Sequence, residues 1–100
     1  MLTGEQLKIV RKIAGFTETE VAERMLITKP TIWRIENGKT ETPSSIRYYE
    51  MSLKEMVDDL VDPDLHRICL DLLRKFNSEN EHNSKWLVLY KNPKGGIAYY

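Results

Sequence analysis

The sequence predicts a mainly helical fold, five amphipathic helices followed by a carboxy-terminal β-hairpin. Three observations carry that expectation. Apolar residues recur at spacings of three and four as far as Phe76. Capping residues (Thr3, Thr17, Thr28, Asp62) and breakers (Gly15, Gly38, Pro43, Pro63) fall between those stripes. Beyond Lys85 the chain turns aromatic and β-rich. At 100 residues, 41% hydrophobic and 30% charged, it is sized for one domain and has a soluble globular composition.

Thr3 caps a first helix running to about Ala14, with Leu7, Val10 and either Ala14 or Ile13 facing inward and Gly15 as the stop. Thr17 and Glu20 form a Thr-x-x-Glu capping box for a short second helix that buries Val21, Ala22 and Met25 before the chain turns at Leu26 and Ile27. Thr28 caps the third helix. Pro30 lies in its first turn, Ile32 and Ile35 face inward, and Gly38 ends it. Pro43, Ser44 and Ser45 open a fourth, with Ile46, Tyr49, Leu53, Met56, Val57 and Leu60 on one side. A fifth follows Asp62 and carries the cleanest stripe: Leu65, Ile68, Cys69, Leu72, Leu73 and Phe76. Asn77 to Lys85 is polar and reads as a loop. Trp86 to Tyr90 and Ile97 to Tyr100 read as two strands joined through Asn-Pro and Gly-Gly.

Fifteen Lys and Arg balance fifteen Asp and Glu, a neutrality that argues against nucleic-acid binding until the distribution is considered. Between Arg24 and Lys39 the net charge is +3, with Glu36 the one acid; between Glu50 and Asp71 it is −5. The chain is polarised, and a basic block by itself reads equally well as a solvated face. Other chemistry finds little support. Asp58, Asp59, Asp62 and Asp64 have no calcium-loop glycine and are interrupted by Pro63. His66 and Cys69 are two potential ligands where zinc needs three or four. The single cysteine excludes an internal disulfide. Lys94, Gly95 and Gly96 fall in a turn rather than between a strand and a helix, so they make no phosphate loop. No catalytic, cofactor or metal site is expected. The lack of an apolar run of about 18 residues, and of a signal-peptide pattern, leads to a cytoplasmic protein with no membrane partner as the expectation.

Helices two and three resemble the Cro and cI repressors, the xenobiotic-response-element class of helix-turn-helix regulators. With Glu18 as the first position of a twenty-residue motif, Ala22 is the small fifth residue, Ile32 the fifteenth and Ile35 the eighteenth, and Glu36-Asn37-Gly38-Lys39 closes the unit. The resemblance extends from about Leu7 to Met56. It implies a five-helix lambda-repressor-like fold whose helix-turn-helix DNA-binding domain covers residues 1–61. Residues 62–100 form an extension for dimerisation or partner binding. Arg11 matches the arginine that pairs with the glutamate at Glu36, and Pro43 the proline ahead of helix four. The departures from the class are Leu26, which stands where glycine is preferred in the turn, Glu18, where many members carry a phosphate-binding glutamine, and Glu41, Thr42 and Ser44, in a loop that is more basic in the phage repressors.

The resemblance makes double-stranded DNA the expected partner, with Thr28, Lys29, Thr31, Trp33, Arg34, Asn37, Lys39 and Arg47 as the contact residues. Arg34, outward on helix three, can pair bidentately with guanine O6 and N7. Lys29 reads guanine or holds a phosphate, and Thr31 and Asn37 match polar phosphate-contacting positions. Pro30 offers only apolar contact. The Trp33 ring is open to two readings, contact with the sugar-phosphate wall or packing on helix four. The function expected is repression by a homodimer on a pseudo-palindromic operator, since a small protein across a promoter blocks polymerase unaided. The alternatives are an antitoxin whose carboxy-terminal part binds a toxin, and an interaction adaptor that binds no nucleic acid.

Overall fold

Each helix starts where a residue with free oxygens precedes an apolar period, and the computed structural model follows that rule through residues 1–39 and 42–91, the residues it describes, with side chains as far as Glu81. The elements are α1 (Gly4–Ala14), α2 (Glu18–Met25), α3 (Lys29–Glu36), α4 (Pro43–Asp58) and α5 (Pro63–Lys91). Thr3 and Thr17 both form full capping boxes. The Gln6 amide N–H donates to Thr3 Oγ1 at 3.2 Å and that of Glu20 to Thr17 Oγ1 at 3.0 Å, with the reciprocal side-chain bonds in place. Gly15 ends α1 in the left-handed region at φ 87°. Leu26 ends α2 in the same region at φ 58°, so the turn keeps the backbone that glycine favours elsewhere and leucine bears its cost, about 1 kcal/mol or more.

Thr28 stands at the N-cap of α3, but its hydroxyl does not cap. It faces the Thr31 hydroxyl at 2.9 Å, while the Thr31 amide goes to the Thr28 carbonyl. α4 begins with Pro43 as its first residue, where a missing N–H costs nothing. Asp62 caps α5 through Oδ1, which accepts from the Asp64 and Leu65 amides at 3.0 and 3.3 Å.

α1 packs against α3, α4 and α5, while α2 packs against α3 and α4. One core results, from Leu2, Leu7 and Val10 through Val21, Ile32 and Ile35 to Leu53, Val57, Cys69 and Leu73. Full burial of each such side chain is worth about 1.5–3 kcal/mol. Of the two residues that could close the α1 stripe, Ala14 is buried and Ile13 exposed. Gly4 lies so close to the end of α3 that a Cβ on it would meet the Ile35 carbonyl oxygen at 1.9 Å.

The carboxy-terminal half of the expectation is corrected. Residues 77–85 form no loop and residues 86–90 no strand. Both continue α5, and among the described residues there is no strand. The second expected strand, Ile97 to Tyr100, lies outside the described residues. The cause is physical: no glycine or proline falls between Pro63 and Pro93, and Val88 is the one β-branched residue from Asn77 to Lys91. The polar stretch is moreover held in place. Asn77 Nδ2 donates to Glu50 Oε2 at 3.1 Å, and Asn80 Nδ2 to the Met1 carbonyl and Gln6 Oε1, both at 2.8 Å. None of the described helices is long and apolar enough to cross a membrane.

Candidate nucleic-acid interface

α3 has two unlike faces. Ile32, Ile35 and Glu36, spaced three and four apart, are buried; Lys29, Pro30, Trp33, Arg34 and Asn37 lie on the other side and are exposed. Trp33 is 49% exposed, so about half of the residue remains open to solvent. The helix is closed by the Lys39 amide on the Arg34 carbonyl at 2.8 Å. The Asn37 side chain closes it too, donating from Nδ2 to the Trp33 carbonyl at 2.8 Å. One Asn37 amide proton is thereby used internally, and the other remains available to an acceptor.

The inner face is anchored by three buried polar groups. Arg11 Nε donates to Glu36 Oε2 at 2.6 Å and Nη2 to Oε1 at 3.0 Å, a bidentate pair whose side chains are 7% and 0% exposed. Arg11 Nη1 donates in addition to the Phe16 carbonyl at 2.9 Å, at the junction of α1 and α2. From α4, the fully buried Tyr49 donates its hydroxyl to Glu36 Oε2. Burial alone lowers the Arg11 pKa, but the bonded Glu36 carboxylate outweighs it and holds the guanidinium above its ordinary value. Burial, then the bond to Glu36, push the Tyr49 phenol well above its ordinary range, so the hydroxyl stays a donor.

The expected contact residues divide by place. Lys29 borders a depression of about 440 Å³ together with Lys8, Lys12, Thr17 and Thr19, and Glu18 stands on the same rim. Lys8 also borders a second depression, beside Asn37. Thr28 and Thr31 meet each other, and Lys39 is exposed beyond the helix. Arg47 stands apart from these, in a shallow depression on α4 with Pro43, Tyr48 and Met51. Lys8 and Lys12 were not singled out from the sequence. Their spacing of four on α1, on the side away from Leu7, was the available signal. Arg24 belongs elsewhere: its Nη2 lies 3.4 Å from Asp59 and 3.6 Å from Glu55, so the acidic end of α4 neutralises it.

Cys69 is buried and burial raises its thiol pKa, while His66 lies 3.6 Å from Asp58. Among the described residues no three His, Cys, Asp or Glu side chains gather as metal ligands would.

Residues 3–50 match a family model described as a helix-turn-helix domain, a family associated with regulators of the xenobiotic-response-element type. No curated protein and no solved structure matches the chain. The family match suggests a DNA-binding regulator, and the matched span contains α1, α2, α3 and the first half of α4.

Proposed function

We propose, from the match of residues 3–50 to a helix-turn-helix domain model, that the chain is a sequence-specific transcriptional repressor. It binds a pseudo-palindromic operator as a homodimer in the cytoplasm. The observation that carries the reading is the two-faced α3, whose inner face is bolted to α1 and α4 through Glu36 while Lys29, Trp33 and Arg34 face out.

A major groove about 12 Å wide admits a helix of this kind. Arg34 reads guanine by a bidentate pair, and Lys29, near the amino end of α3, reads a base or holds a phosphate. Thr28, Thr31, Asn37, Lys39 and Arg47 bind the sugar-phosphate backbone and fix register. Lys8 and Lys12 extend the basic rim around Lys29 and add counterion release. Glu18, on that same rim, repels phosphate and keeps nonspecific affinity low.

A single helix-turn-helix reads few base pairs, so the working unit is a pair of chains on half-sites about 34 Å apart. Residues after Pro63 supply the pairing surface, where Ile68 is 45% exposed on an otherwise core-facing stripe. Selection of bound duplexes from a random pool tests the whole reading. The expected product is a short sequence repeated in inverted orientation at about one helical turn. A single unrepeated site would remove the dimer, and a pool without enrichment would overturn DNA reading itself.

A further inference from the structure

We propose that Tyr49 is a positioning residue for sequence readout: its hydroxyl, reaching from α4 to Glu36 Oε2, fixes the rotation of α3 about its own axis and so aims Arg34. The inference rests on the DNA-binding reading above.

Glu36 is the last residue of α3, and Arg34 lies two positions before it, about 200° round the helix. A group anchored through Glu36 therefore acts on the opposite side, where Arg34 points. The two Arg11 bonds define one line of pull, from α1. With the Arg11 bond to the Phe16 carbonyl they tie α3 to α1 and to the start of α2, and leave the tie between α3 and α4 to Tyr49. The Tyr49 bond pulls from a different helix onto an oxygen already engaged by Arg11, and the carboxylate becomes a three-way junction of α1, α3 and α4. Tyr49 has no exposed surface, so its ring is fixed by packing and its hydroxyl position is determined. Readout geometry is sensitive at this scale, because a bidentate pair requires two N–H groups to meet O6 and N7 together.

Tyr49→Phe keeps the ring and removes only the bond. The test compares the affinity of the full chain for its selected duplex with its affinity for an unrelated duplex, below each variant's melting temperature. Val57→Ala, which hollows the core on the same helix without touching Glu36, is the control for stability loss. The expected result is a ratio of affinities that falls about tenfold in Tyr49→Phe, the scale of one misaligned bidentate contact, and is unchanged in Val57→Ala. If Tyr49→Phe fails to fold, Tyr49→Met, which also removes the hydroxyl and leaves the Arg11–Glu36 pair intact, is read in the same way. A wild-type ratio in the variant, or an equal fall in Val57→Ala, overturns the positioning role while DNA binding stands. A wild-type chain that prefers no duplex overturns the DNA reading and this inference together.

Discussion

Glu36 has no exposed side-chain surface and three donor bonds, and a buried carboxylate of this kind is tolerated only while its partners are present. Arg11→Ala removes two of the three donors and should lower stability by about 3 kcal/mol or more, measured by chemical denaturation. A loss of about 1 kcal/mol or less would mark the pair as energetically a surface one. Leu26 is the opposite case, a residue that is 89% exposed and whose own conformation is unfavourable. Leu26→Gly relieves the left-handed strain and sacrifices almost no packing. Its midpoint should rise by an amount equivalent to about 1 kcal/mol, less the extra chain entropy of glycine when unfolded. A fall would show that leucine at this turn makes contacts that outweigh its strain.

The first four helices were legible because an apolar period set off by a threonine or a proline marks each of them, although only at α1 and α2 does the threonine hydroxyl cap the helix. Thr3 with Gln6, Thr17 with Glu20, and Gly15 all do what local chemistry dictates. The end of α5 was not legible. A polar run such as Asn77 to Lys85 has the composition of a loop; it contains no breaker, and its start is also held by tertiary bonds, from asparagines that reach Glu50, Gln6 and the Met1 carbonyl. Asn80→Ala should therefore cost about 1–2 kcal/mol in a denaturation experiment, for three partly exposed bonds lost. A neutral substitution would mean that this part of α5 is not docked. In the site, the exposed residues of α3 followed from the motif, and Arg11 with Glu36 from the resemblance. Tyr49 did not, because a tyrosine on an apolar stripe is indistinguishable in sequence from any other core aromatic. Its hydroxyl partner lies thirteen residues away on another helix. Lys8 and Lys12 do not stand out in the charge pattern along the chain, because the rim they share with Lys29 is assembled across α1 and α3.

For the molecule as a whole, charge and fold together separate two ends. The acidic end of α4 takes Arg24 out of the basic set, leaving Lys29, Arg34 and Lys39 on or beside α3 with Lys8 and Lys12 near Lys29. A neutral chain can in this way present one basic face, the sense in which net charge misleads about partners. The measurement that bears most directly on the account is the affinity of Arg34→Ala for the selected and for an unrelated duplex over a range of salt. Base reading by Arg34 predicts a loss of about 1–3 kcal/mol on the selected duplex only, with the salt slope on the unrelated one almost unchanged. Equal losses on both duplexes would contradict it, since Arg34 would then be one more phosphate contact and α3 would not be reading sequence through it.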